Sequence, residues 1–100
     1  MSWYVYVARC ADDTLYCGIA RDVAERIARH DAGKGAKYTR RRGPLVVVLV
    51  RRCRDHGTAL RLEHAIKQLT RRDKDALVAA PARLGSLARR VNRRHAAAAR

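Results

Sequence analysis

Residues 4–30 read YVYVARCADDTLYCGIARDVAERIARH, and the fold turns on how this stretch folds back on itself. The run that leads into it, Trp3 to Arg9, is rich in aromatic and β-branched residues and predicts a strand of mixed burial. Asp12-Asp13-Thr14 is turn chemistry, and Leu15 to Ile19 predicts the hairpin partner. Register decides what the two tyrosines can do. A two-residue loop at Asp12-Asp13 pairs Ala11 with Thr14 and puts Tyr6 and Tyr16 on opposite faces. A three-residue loop, Asp12-Asp13-Thr14, pairs Cys10 with Tyr16 and puts both tyrosines on one face, because strand side chains alternate with period two. A shared tyrosine site therefore requires the odd loop or a bulge. Asp22 and Glu25 then form a capping-box-like pair, and Val23 and Ile27 give the following helix an apolar side. Arg26 and His30 lie four apart and project from one face of it. Gly33 is the expected end of the helix.

Downstream, Gly33 to Gly43 reads GKGAKYTRRRG. Its glycines let the backbone approach a phosphate chain, and Lys34, Lys37, Arg40, Arg41 and Arg42 can neutralise one, with Tyr38 as the single aromatic. Pro44 opens a third strand, Leu45 to Val50. That continuous apolar run predicts a central strand covered on both faces. After a turn at Asp55-His56-Gly57, Thr58 is expected to cap a helix over 59–69. Its apolar stripe is Ala59, Leu62, Ile66 and Leu69, with Glu63 beside it. Thr70 and Asp73 start a further helix that ends near Pro81. Residues 82–100 hold six arginines and no acidic residue. Leu84, Leu87 and Val91 predict a short amphipathic helix there, with a frayed HAAAAR end. The division expected is a domain over 1–81 and a basic C-terminal extension over 82–100.

The chain has 100 residues, 48% hydrophobic and 32% charged, so it is one small globular domain. Its formal net charge of +14 calls for a polyanionic partner, nucleic acid before an anionic membrane. No apolar run reaches the roughly 18 residues of a membrane span. The segment Met1-Ser2-Trp3-Tyr4 lacks the features of a signal peptide, so a cytoplasmic location is expected. Cys10, Cys17 and Cys53 have no metal-ligand spacing and are expected as buried free thiols.

The ordered set of these segments carries a resemblance. Tyr4-Val5-Tyr6, followed after nine residues by Tyr16-Cys17-Gly18, is similar to the paired tripeptides of the GIY-YIG nuclease superfamily. The helix Arg26-Ile27-Ala28-Arg29-His30, the loop GKGAKYTR and the segment LEHAIKQL (62–69) extend the likeness over roughly residues 3–80. The chain most resembles the small single-domain bacterial members of YhbQ (UPF0213) type. Tyr4 stands where the first glycine stands, and Cys17 where the isoleucine of the second tripeptide stands. No residue matches the late asparagine of larger members.

The resemblance implies an α+β fold, a small three-stranded antiparallel sheet flanked by helices. It also implies metal-dependent phosphodiester hydrolysis, structure-selective or non-specific, serving DNA repair or processing. By similarity Tyr6 is the general base or positions the water, and Tyr16 hydrogen-bonds in the same pocket. Arg26 binds the scissile phosphate, and His30 holds or protonates a phosphate oxygen. Glu63 ligates one Mg2+ or Mn2+, and Lys67 joins the loop residues as a nucleic-acid contact. DNA is expected over RNA, with no small-molecule cofactor. A tyrosine of ordinary pKa near 10 needs neighbouring cations to work at neutral pH. Two functions stay open: a nuclease, or a nucleic-acid-binding module that keeps the fold with little turnover.

Overall fold

The computed structural model describes residues 2–32 and 44–98. Among them the chain runs β1 (Trp3–Arg9), β2 (Leu15–Ala20), α1 (Val23–Asp31), β3 (Val46–Cys53), α2 (His56–Lys67), α3 (Arg71–Ala79) and α4 (Ala82–Ala98). The strands form one antiparallel sheet of order β2-β1-β3. This is the α+β architecture expected.

The central strand is β1, not the apolar run after Pro44. β1 is paired on both sides and covered on both faces, and Val5, Tyr6, Val7 and Ala8 are all buried in succession. β3 is an edge strand whose Val46, Val47 and Val50 are 60%, 37% and 54% exposed. A continuous apolar run thus marked an edge, because with three strands only the one holding both partners can be central. β3 also slips by one residue: Val7 pairs with Leu49 and Ala8 with Val47, leaving Val48 as a bulge.

The hairpin settles the tyrosine register. Tyr6 pairs with Gly18 and Ala8 with Tyr16. The Cys10 amide donates to the Thr14 carbonyl at 2.8 Å, so the three-residue loop is Ala11-Asp12-Asp13, one position earlier than expected. Asp13 takes the left-handed conformation at φ 69°, which a three-residue hairpin requires at its last loop position. Moving the loop by one residue shifts the pairing by two, so parity is kept and both tyrosines share a face.

Two apolar layers flank the sheet. On one face Val5, Val7, Cys17 and Leu49 pack against Ala59, Leu62 and Ile66 of α2, with Leu77 of α3 and Leu84 and Leu87 of α4. Burial of Leu62 or Ile66 contributes about 1.5–3 kcal/mol each. On the other face Tyr6, Ala8, Cys10, Ala20 and Leu45 pack under Val23 and Ile27 of α1. All three cysteines are buried free thiols.

The helix starts follow side-chain caps. The Asp22 carboxylate accepts the Glu25 amide at 3.0 Å, and Thr70 Oγ1 accepts the Asp73 amide at 3.1 Å, both as expected. The cap of α2 is Asp55, which accepts the Thr58 amide at 2.7 Å, rather than Thr58 itself. His56 and Gly57 therefore form its first turn. α4 continues helically through Ala98, where a frayed end was expected. Its alanines are strong helix formers and need no packing to extend it. Gly33 and the basic loop to Gly43 lie outside the described residues. No helix among the described residues is long and apolar enough to cross a membrane.

Candidate active site

The site begins with the pairing of Tyr6 and Gly18. Both face α1, and the Tyr6 phenol lies across β2 where a side chain at position 18 would stand. A Cβ at Gly18 would fall 2.7 Å from Tyr6 Oη, 2.9 Å from Tyr6 Cζ and 3.0 Å from Tyr16 Cε2. Glycine is what opens this space. Tyr16, two residues before it on the same face, places its ring 6.2 Å from that of Tyr6. His30 comes down from the last turn of α1. It is buried, meets Tyr16 edge-on at 5.4 Å, and puts Nε2 3.5 Å from Tyr6 Oη. Arg26, one turn earlier, lies close enough to act electrically on both Tyr6 and His30. Its Nε is buried without a hydrogen-bond partner among the described residues, a donor left for something else.

The electrostatics are set by burial. Tyr6 is pushed up to about 12, first by desolvation and then by Tyr16, and Arg26 pulls it down without offsetting them. The cation that should make this phenol acidic is present, but burial outweighs it. His30 is lowered from its ordinary 6.5, again by burial first and by the Arg26 charge second. At neutral pH the pair is therefore a phenol and a neutral imidazole, an arrangement in which Tyr6 can donate to Nε2.

Of the residues singled out in the sequence, Tyr6, Tyr16, Arg26 and His30 come together on the α1 face. Glu63 stands on α2, which packs on the opposite face. Its Oε2 is 3.6 Å from Lys67 Nζ, and its charge, after burial, helps raise the Cys17 thiol to about 12. Cys17 belongs to edge strand β2, so Glu63 lies near the sheet margin rather than beneath its centre. At that margin Leu15, Tyr16, Cys17, Lys67 and Lys74 line a cleft of about 320 Å3. Tyr16 thus belongs both to the tyrosine pocket and to the lysine cleft. Lys34, Lys37, Tyr38, Arg40, Arg41 and Arg42 lie outside the described residues.

Two contributors were not legible as such. Lys74 sits in the first half of α3, and no local pattern distinguishes it from other surface lysines. Gly18 carried a signal, a glycine inside a strand, but the approach it permits needed the pairing partner to be known.

Among the described residues no three or more His, Cys, Asp and Glu cluster as a ready-made metal cage. A single carboxylate of low exposure, Glu63, suits a hard cation that keeps most of its waters and takes further oxygens from a phosphate. It does not suit zinc, which takes three or four protein ligands drawn from cysteine, histidine and carboxylate side chains.

Two phenols, an imidazole and a guanidinium gathered over one face of a small antiparallel sheet are groups able to bind an anion and to pass a proton. The family model described as the GIY-YIG catalytic domain matches residues 2–76, and the chain belongs to that family. A UPF0213 protein of Vibrio cholerae is 48% identical over 86 residues, covering 85% of each chain. The UPF0213 protein YhbQ of Salmonella typhimurium is 49% identical over 76 residues, 76% of each chain. The solution NMR structure of a UPF0213 protein from Bacillus halodurans matches with a TM-score of 0.53 at 44% identity, covering 79% of this chain and 84% of that one.

Gly18→Ala is expected to cut any activity of this pocket by about 10²-fold, because a displacement on the order of 1 Å at a reacting group has that effect. The Cβ must push aside the Tyr6 phenol or the Tyr16 ring, and the strand backbone cannot yield. Thermal unfolding should show a parallel loss of about 1–3 kcal/mol from overpacking. Wild-type activity in Gly18→Ala would refute the close approach.

Proposed function

We propose that this chain is a divalent-metal-dependent nuclease that hydrolyses phosphodiester bonds of DNA, structure-selectively or without sequence preference, in DNA repair or processing. The observation that carries the reading is the Tyr6–His30 contact at 3.5 Å, with Tyr16 and Arg26 beside it. Membership of the GIY-YIG family supports it. We assign catalysis to residues 1–81 and an accessory nucleic-acid contact to 82–100.

The residues divide the work as follows. The Arg26 guanidinium, with its spare Nε, takes the non-bridging oxygens of the scissile phosphate and offsets the charge that grows there. Tyr16 fixes the same phosphate by hydrogen bonding. In the hydrolytic step the oxygen of a water bonds to phosphorus as the bond from phosphorus to the 3′ oxygen breaks; the water's proton passes to Tyr6 Oη, the phenol proton passes to His30 Nε2, and the departing 3′ oxygen takes its proton from solvent. Tyr6 is then never required as a free phenolate, which its high pKa would oppose. His30 must be neutral to accept, and its lowered pKa keeps it so. Glu63 would hold Mg2+ or Mn2+, which when bound supplies Lewis-acid stabilisation of the phosphoryl oxygens and the leaving 3′ oxygen. Lys67 and Lys74 would anchor a neighbouring phosphate at the β2 margin.

One observation favours a second reading, a nucleic-acid-binding module with little turnover: burial holds the Tyr6 pKa near 12, unhelpful for a base acting alone. A panel of single-stranded, duplex, flapped and branched DNA and matching RNA separates the two, assayed with Mg2+ or Mn2+ and with EDTA. Cleavage of DNA that EDTA abolishes supports the nuclease. Tight binding without cleavage across the panel supports the module.

The relay also fixes a pH dependence. The unprotonated form of His30 is the acceptor, so the single-turnover rate should be flat above about pH 6.5 and fall as pH drops through the lowered His30 value. His30→Gln should be slow and lack this acidic limb. A wild-type rate that rises towards low pH would reverse the role of His30 from base to acid.

A further inference from the structure

On the side of the molecule away from the tyrosines, α2 and α4 leave a groove of about 610 Å3 between them. Its floor is apolar: Leu60, Leu87 and Val91. Leu60 is 43% exposed although it stands beside the core, so no element among the described residues covers it. Arg61, Arg90 and Arg94 border the floor, and no carboxylate lines the groove. Arg90 and Arg94 lie four apart on α4 and form a row one turn long. Arg61 Nε is buried without a hydrogen-bond partner among the described residues, although its guanidinium also reaches Thr58 Oγ1 at 3.3 Å. The family model matches residues 2–76, so half of this groove is built by a helix beyond the residues it matches.

We propose that the α2–α4 groove is a docking site for an acidic amphipathic helix of a partner protein. An apolar floor wants leucine-like side chains recurring at i, i+3, i+4 and i+7. The bordering arginines want carboxylates on the flanks of that stripe, spaced by four to meet Arg90 and Arg94. Nucleic acid satisfies the arginines but gains nothing from a leucine floor, since its outer surface is phosphate and sugar. A second copy of this chain carries a net charge of +14 and is repelled. The groove and the tyrosine pocket lie on opposite sides of the sheet, so partner and substrate can be held together.

The test uses the full chain, 15N-labelled, at physiological salt. The probe is a synthetic helical peptide with a leucine stripe at that spacing and glutamates on both flanks. A control peptide has the same glutamates and serines for leucines. The stripe peptide is expected to shift resonances of α2 and α4 and to bind about tenfold or more tighter than the control, the effect of losing buried anchors. Leu60→Ser, a neutral change at a 43% exposed position, should weaken the stripe peptide by a similar factor and leave duplex DNA affinity unchanged, because no charge beside the α4 arginines is altered. Equal binding of the two peptides would overturn the proposal, leaving only diffuse attraction to a basic protein. DNA-induced shifts centred on the groove, weakened by Leu60→Ser, would reassign it to nucleic acid. Concentration-dependent self-association through this face would reassign it to a second copy.

Discussion

Tyr6→Phe is expected to lower the single-turnover cleavage rate by about 10²–10⁴-fold, the usual worth of a positioned proton-transfer group. Affinity for the same DNA should stay within about twofold, because only an uncharged hydroxyl is removed. The separation follows from the geometry. The Tyr6 ring fills the space over Gly18 and packs near Tyr16, and phenylalanine fills it equally well. What is lost is the atom 3.5 Å from His30 Nε2, the middle of the proposed relay. Folding should change by about 1–3 kcal/mol, since the hydroxyl loses its contacts with His30 and Arg26 and leaves those partners buried. A spectroscopic control is available. Phenolate absorbance of the wild type should include a tyrosine ionising near pH 12, and Tyr6→Phe should lack that component. Loss of cleavage with unchanged binding and loss of the late ionisation would place Tyr6 in the chemistry. Undiminished cleavage by a folded Tyr6→Phe would remove it from the mechanism and favour water activation elsewhere.

Much of this was legible because the signals were local. Asp22 and Thr70 cap the helices their neighbours predict, and the parity of the hairpin follows from counting between two tyrosines. What stayed hidden depends on three-dimensional context. The valine run after Pro44 says only that a strand is apolar; whether it lies at the centre depends on how many strands there are and which holds two partners. Asp55 and Thr58 are both good caps, and the choice between them rests on φ and ψ rather than residue type. The Tyr6 pKa could not be read either. The sequence supplies Arg26 as a cation but gives no measure of desolvation, and desolvation wins. Nor could spacing tell which side of the sheet would receive α2, on which the role of Glu63 depends.

Glu63→Gln is expected to reduce metal-dependent cleavage by at least about 10²-fold, the effect of weakening the hold on a Lewis acid worth several kcal/mol to the transition state. DNA binding measured in EDTA should persist or tighten slightly, because one negative charge near the phosphate is gone. Glutamine keeps the shape and the partial burial of the side chain, so packing against the β2 margin is preserved. The competing structural role is small: the Lys67 contact at 3.6 Å is an i,i+4 pair on a helix, worth about 0.2–0.5 kcal/mol. A thermal midpoint close to wild type is therefore expected, and a large drop would point to a structural part for Glu63. A second readout needs no metal. The Glu63 charge is the next cause after burial of the high Cys17 pKa, so Glu63→Gln should shift Cys17 ionisation downward. That shift confirms that the charge was removed from the β2 margin even if activity does not change. With the charge shown to be gone, cleavage as fast as wild type at low Mg2+ would exclude Glu63 as the ligand. A higher Mg2+ requirement with the maximal rate recovered would locate its contribution in ion affinity, and loss at every Mg2+ concentration would locate it in the reacting geometry.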